Sequence, residues 1–455
     1  MKKFILGVTA ILFSATMFAA PRTAEEAAAI AAQFTNAQPQ LARMHKAPRT
    51  QESMRLAYTG LKPASTEAAY YVFNQENNAG CVFVSAEDRT LDVLGYTDDG
   101  QFNPATVNPN LKFWLERYAE EIANVNDENA YDVSAARKAA QGQAIAPLLK
   151  NKDGKNIAWY QEAPYYNLCP KDQRDNTRCL TGCVATAASQ IMYKWRYPEK
   201  GTGSHSYTWY DCMDDYCESY KTKELSVDFA STTYDWDNML PAYEGKSYTA
   251  AQAEAVATLM YHAGVACDMM YGGDATGGSG AWTDDMGYGL KTYFGYNVGK
   301  FLTTYSKTKY KQAKGTAIAD VPCEFSQSIN AITTAFNTDL EAGRPILMGG
   351  ESSKSGGHEF VCDGRDTNGK FHINWGWEGQ ANGYFALSAL NPKSGGESMS
   401  FSSQIDALIG IEPAQAQAIE TTAVTEKAGY KYFENGQLII IREGVKFNAL
   451  GQQIQ

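Results

Sequence analysis

Positive charge is scarce in this chain of 455 residues: 40 Lys and Arg stand against 51 Asp and Glu, for a formal net charge of −11. A sequence-independent nucleic-acid binder needs a basic surface, so that class of partner is disfavoured. Long apolar runs are scarce too. The one clear run, between Phe4 and Phe18, follows Lys2 and Lys3 and ends at Ala19 and Ala20. It is too short for a membrane span and lacks a stop-transfer flank, so residues 1–20 read as a secretory signal peptide and no membrane span is expected. The paired ligand spacing of zinc modules is missing around Cys169, Cys179 and Cys183. The glycine-rich stretch 272–280 has no Lys-Ser or Lys-Thr after it, which argues against a phosphate loop. Histidine is rare, with five in the whole chain.

What is present is ordinary for a soluble globular protein: 44% hydrophobic and 20% charged residues. The length suggests roughly two to four domains. Nine cysteines enter a compartment that permits disulfides, and an odd number leaves at least one thiol without an intramolecular partner. Cys169 with Cys179, and Cys212 with Cys217, are near enough in sequence to pair, although spacing alone does not decide connectivity.

The unpaired thiol has a candidate. Gly182-Cys183-Val184-Ala185-Thr186-Ala187 opens a stretch whose apolar residues at 184, 187, 188, 191 and 195 recur at helical spacing, with Pro198 just past its end. A cysteine at a helix start meets unpaired N–H groups and the positive end of the macrodipole, both of which favour thiolate. Gly182 removes a side chain that would crowd an approaching backbone. His358, in Gly357-His358-Glu359-Phe360, supplies an imidazole able to act as the base. Asn374, in Asn374-Trp375-Gly376-Trp377, can accept from the histidine and fix its tautomer while the tryptophans shield that bond. Gln161, upstream of the cysteine, can join the Cys183 N–H in donating to a developing oxyanion.

In this order, Gln161, Cys183, His358 and Asn374-Trp375 resemble a papain-like cysteine peptidase, most closely the streptopain and interpain family of secreted bacterial peptidases. The resemblance covers roughly residues 150–412. The gap from Cys183 to His358 exceeds the usual papain spacing, which surface insertions would absorb. It implies an α+β fold in which a helical half carrying Cys183 meets an antiparallel sheet half carrying His358. It implies a cysteine endopeptidase acting on proteins and peptides through an acyl-enzyme, with no metal or organic cofactor. Ser279, Gly357, Trp375 and Trp377 fall at substrate-contact positions, and the pocket for the second residue before the scissile bond would take a hydrophobic side chain. The family's zymogens make residues 21–150 a propeptide that inhibits its own enzyme, ahead of a catalytic domain over 151–412. Residues 413–455 read as a linker followed by a hairpin or a sorting tail. Acyl transfer to an amine, and a non-catalytic binding protein on the same scaffold, are the alternatives.

Coarser patterns complete the reading. Helices are expected at 24–34, 111–122, 250–264 and 281–295, and strands at 68–73, 81–85, 91–96, 359–362, 371–375, 383–387 and 407–411. The stretch 207–220 reads as a loop-rich insertion, and 150–155 as an exposed, cleavable loop. His262 reads as a partner for its helix's dipole, His372 as structural, and His45 and His205 have no partner motif.

Overall fold

The computed structural model describes residues 21–38, 48–126, 129–130, 143–213, 218–273, 278–352, 356–390 and 404–414, together with four short strands after residue 430. The signal-peptide segment 1–20, His45, Cys217 and the linker 415–430 lie outside the described residues. The N-terminal part holds helix α1 (Ala24–Ala37), strands β1 (Arg55–Leu61), β2 (Ala68–Asn74), β3 (Cys81–Ser85) and β4 (Val93–Tyr96), and helix α2 (Pro109–Ala123). Both helices begin where capping chemistry places them. Thr23 and Glu26 form a reciprocal capping box on α1, and Asn108 caps α2 ahead of Pro109 at its first position.

The central part runs α3 (Cys183–Trp195), β5 (Ser204–Cys212), β6 (Tyr220–Asp228), α4 (Ala250–Ala266), α5 (Thr283–Thr292), β7 (Tyr296–Asn297) and β8 (Lys300–Thr303). It continues with α6 (Lys307–Lys314), β9 (Cys323–Glu324), α7 (Ile329–Glu341), β10 (Ile346–Ser352) and β11 (Gly356–Arg365). Strands β12 (Phe371–Asn374), β13 (Gly383–Phe385), β14 (Asp406–Ile409) and β15 (Glu412–Pro413) close this part. The expected sheet of short apolar runs is therefore present. The segment 207–220, expected to be loop-rich, instead contributes to the β5–β6 hairpin, because its inward positions alternate and bury Trp209. At the far end β16 (Lys431–Glu434), β17 (Gln437–Arg442), β18 (Val445–Phe447) and β19 (Gln453–Ile454) form a four-stranded antiparallel sheet, more than a simple hairpin.

The N-terminal part does not stand apart. One eleven-stranded sheet runs in the order β1-β2-β3-β4-β13-β12-β11-β10-β14-β8-β9, and β4 pairs with β13 through Tyr96 opposite Tyr384. Alternate side chains of its middle strands feed two different cores. Leu347, Val361 and Leu408 pack with α3 and α4, while Ile346, Met348, Phe360 and Cys362 pack on the other face with Phe113, Trp114 and Tyr118 of α2. Helix α2 is further bonded to the chain just past β13. Trp114 Nε1 and the Tyr118 hydroxyl both donate to the Ala386 carbonyl, and Arg117 donates to that of Leu387 at 2.6 Å. Glu121 accepts from the Ala389 N–H and the Ser388 hydroxyl, and pairs with Arg117 at 2.6 Å.

The boundary expected at residue 150 falls inside a bonded segment. Ile145 bridges Arg365, the Leu148 N–H donates to the Asp363 carbonyl, and the Leu149 carbonyl accepts from Ile157. Residues 145 and 148 are thus bonded to β11, and 151–156 form a largely exposed turn. Of the cysteines, Cys169 and Cys179 are buried free thiols, so that expected pair is not formed. Cys212 is disulfide-bonded.

Arg117 and Glu121 are both essentially fully buried, and burial pushes the Glu121 carboxyl up against the pull of Arg117. Removing the cation strands a desolvated carboxylate. Arg117→Ala in a Cys183→Ala background should therefore lower unfolding stability by about 3–5 kcal/mol. Urea unfolding of the full chain checks this, and an unchanged midpoint would show that α2 contributes little to holding the sheet together.

Candidate active site

Cys183 is the first residue of α3, as its sequence surroundings predict. Gly182 caps the helix at φ 85°, and no side chain occupies its N-terminal hydrogen-bond positions. A Cβ at Gly182 would lie 2.7 Å from Met269 Sδ and 3.1 Å from the Ser279 carbonyl oxygen. Glycine is thus required by the backbone angle and by the protein's own packing, as well as by access for a substrate. Two residues earlier the Thr181 N–H donates to the Gln161 carbonyl at 3.2 Å, which brings the Gln161 segment beside the nucleophile. Trp159 is tied to α3 through Gln190 Oε1, and Tyr160 packs edge-on against Trp377.

His358 and Glu359 are consecutive on β11, so they face opposite sides of the sheet. His358 shares the side of Phe360, which is that of α2, and Glu359 shares the side of Val361, which is that of α3. The consequence is visible in their partners. Phe113 of α2 packs against the His358 ring at 5.3 Å, and His358 Nδ1 lies 2.9 Å from Asn110 Oδ1. The Asn110 amide nitrogen donates to the Glu359 and Trp375 carbonyls at 3.1 and 2.6 Å, so its oxygen must be the acceptor and His358 Nδ1 carries the proton. Among the described residues no hydrogen bond joins Cys183 to His358.

Asn374 does not orient His358 in this arrangement. Its amide nitrogen donates to the Ile157 carbonyl at 2.8 Å, and its oxygen accepts from the Gly376 N–H at 3.0 Å. Asn110 from the N-terminal helix stands where Asn374 was expected. Nothing in the sequence pattern marks Asn110 as a site residue. Its only signal is a polar residue following Asn108-Pro109 at a helix position that turns out to be buried. The remaining expected contacts divide. Gly357 and Ser279 line a cavity of about 360 Å³ that Cys183, His358 and Glu359 also border. The Ser279 hydroxyl is engaged within the protein, donating to the Leu180 carbonyl at 2.7 Å and accepting from the Gly272 N–H. Trp375 is fully buried between Phe360 and Phe385, so it is a core residue and not a cleft wall. Trp377 is half-buried against Tyr160.

A thiolate is not favoured here. Burial, and then the nearby Glu359 carboxylate, push the Cys183 thiol up to about 12, outweighing the N–H groups of Glu359, Val184 and Cys183 itself. The helix-start argument therefore names forces that are present but do not win while His358 faces α2. The other described histidines are occupied elsewhere. His262 is buried and bonded to the Tyr234 hydroxyl, with burial lowering its pKa to about 4, so it is a neutral partner of a tyrosine and not a charged helix cap. His372 pairs with Asp363 at 2.5 Å and His205 with Asp268 at 2.6 Å.

A model of the Peptidase C10 family matches residues 159–385, and one described as a Spi protease inhibitor matches residues 19–122. Streptopain of Streptococcus pyogenes is 31% identical over 376 residues, which cover 80% of this chain and 86% of streptopain. The chain belongs to the Peptidase C10 family. A solved structure of prointerpain A from Prevotella intermedia, a cysteine-to-alanine mutant, aligns with TM-score 0.57 and 32% identity over 78% of this chain and 98% of that one. The thiol protease/hemagglutinin PrtT of Porphyromonas gingivalis is 31% identical over 375 residues, but the chain spans only 39% of its length. This C10 peptidase is accordingly a secreted cysteine endopeptidase with an N-terminal propeptide region, of two-part α+β architecture. No helix of the described residues is long and apolar enough to cross a membrane.

A thiol held near 12 is neutral at pH 7, and its thiolate fraction grows about tenfold per pH unit below that value. Alkylation of Cys183 in the uncleaved chain should climb accordingly from pH 7 to 10 with no plateau, followed by peptide mass mapping. Asn110→Ala should speed that labelling at neutral pH by roughly tenfold or more, the scale of losing a hydrogen bond or two. A plateau below pH 9, or an Asn110 variant labelled at the wild-type rate, would contradict this account.

Proposed function

We propose that Cys183 is the nucleophile and His358 the general base of peptide-bond hydrolysis, and that the structure described above is the inhibited zymogen. The observation that carries this reading is the hydrogen bond from His358 to Asn110, which ties the base to a propeptide helix and leaves Cys183 as a thiol. When residues 21 to about 140 leave, α2 withdraws Asn110 and Phe113 together. The His358 ring, which already borders the Cys183 cavity, then turns from Asn110 towards Cys183, and proton transfer between them gives a thiolate and an imidazolium. The thiolate attacks the scissile carbonyl, and the imidazolium protonates the leaving amine. Water, deprotonated by His358, releases the acyl-enzyme. The Cys183 N–H at the uncapped start of α3 and the Gln161 amide are the two oxyanion donors. Asn374, two residues before Gly376 on the segment that joins β12 to the Trp377 loop, takes over the Nδ1 proton from Asn110. Nothing in the site favours transfer to an amine or a purely binding role.

Residues 1–20 direct export. We place the propeptide boundary between Val125 and Gln143, earlier than residue 150, because Ile145 and Leu148 are hydrogen-bonded to β11 and the chain continues from them into the Gln161 segment. Proteins and peptides are the substrates.

Gln161→Ala should leave Cys183 open to labelling in the processed enzyme while lowering kcat by about a hundred- to a thousandfold. Wild-type turnover in that variant would remove Gln161 from the oxyanion site. The full chain, held at neutral pH under mild reduction, should shorten from its N-terminal side to a form beginning before residue 144, whereas Cys183→Ala stays full length. N-terminal sequencing decides: if the alanine variant matures alone at the same bond, cleavage is not autocatalytic.

A further inference from the structure

The cavity beside Cys183 is not the plain hydrophobic pocket that family resemblance implies. Val184, Met270, Ala281 and Trp282 provide apolar wall, but Asp268, Asp285, Glu359 and Asp406 also line it. Asp268 is hydrogen-bonded to His205 at 2.6 Å, Asp285 is paired with the buried Lys314 at 2.6 Å, and Asp406 is engaged as well. Among the described residues Glu359 has no basic partner. It is 4% exposed, its Oε2 accepts from the Thr283 hydroxyl at 3.0 Å, and its Oε1 is buried with no hydrogen-bond partner. Gly349, opposite Glu359 on β10, leaves it room: a Cβ there would meet the His358 carbonyl oxygen at 2.0 Å and Glu359 Oε2 at 2.6 Å. An acidic side chain has thus been accommodated in a pocket wall, beside a second carboxylate, with one oxygen unpaired.

We infer that this cavity is the enzyme's specificity pocket for a cationic side chain, lysine or arginine, of the residue second before the scissile bond. The inference rests on the peptidase reading above and names its substrate class. The apolar walls suit the methylene stem, and Glu359 with Asp406 suits the charged head. Burial first, and then Asp406, drive the Glu359 carboxyl well above its usual range and so favour its neutral form, and a bound cation would pull it back towards the carboxylate. There is also a link to the nucleophile. The Glu359 carboxylate is the charge that opposes ionisation of Cys183, and a bound cation cancels that opposition. A basic substrate residue then favours the thiolate that attacks it, so the preference belongs in kcat as well as KM.

The test uses the processed full chain and peptide substrates that differ only at the second residue before the cut, Arg, Lys, Leu or Val, with rates normalised to the fraction of Cys183 labelled by an epoxide inhibitor. Arg or Lys peptides should exceed Leu in kcat/KM by roughly ten- to a hundredfold, the scale of a charge-assisted hydrogen bond. Glu359→Gln, nearly isosteric, should reduce the Arg-to-Leu ratio at least about tenfold, and Asp406→Asn should reduce it in the same direction. If the wild type prefers Leu or Val, the inference fails whatever the variants do. A Glu359→Gln enzyme that labels normally and keeps the wild-type ratio overturns it too. Hydrolysis without a basic preference leaves the peptidase reading intact, whereas absence of both labelling and hydrolysis overturns both.

Discussion

The alternation of side chains along β11 is the constraint on which the site depends. A strand cannot present two consecutive residues to the same face, so His358 and Glu359 are divided between α2 and α3. With the regular β10–β11 pairing in place, Cys183 meets the Glu359 carboxyl and His358 meets helix α2. His358 is the third residue of β11, within its ladder to β10, and it borders the cavity that Cys183 also lines.

In the proposed zymogen, inhibition follows from the same geometry, through the hydrogen bond of His358 to Asn110. Asn110 satisfies three groups at once, the His358 Nδ1–H and the carbonyls of Glu359 and Trp375. Each bond is modest alone, but the network is buried, where a half-satisfied arrangement is costly. Asn110 is held in turn by the register of α2, fixed at its start by Asn108 and along its length by Trp114, Arg117, Tyr118 and Glu121 on residues 386–389. The pairing of β4 with β13 extends the catalytic sheet into the propeptide. The region matched by the inhibitor model and the region matched by the C10 model therefore share one continuous sheet.

The state of the thiol is a contest of magnitudes. The N–H groups at the start of α3 favour a thiolate, but the shift to about 12 shows burial and the Glu359 charge outweighing them. An imidazolium brought beside Cys183 would reverse that balance. Glu359 thus both opposes ionisation of Cys183 and lines the adjoining cavity.

The sequence by itself determined what local chemistry can specify. Helical spacing and Gly182 placed Cys183 at a helix start, alternating runs marked the antiparallel strands, and the four motifs identified the family. Those signals are short-range, carried by neighbouring residues through capping, periodicity and turns. Tertiary structure decided the partners. That His358 bonds Asn110, 248 positions away, and not Asn374, depends on docking α2 against β11. That Trp375 is core, that Ile145 and Leu148 are bonded to β11 and that the cavity is acidic depend likewise on contacts between distant segments. No periodicity records such contacts, because each arises only when separately specified elements compete for the same buried hydrogen bonds and the same space.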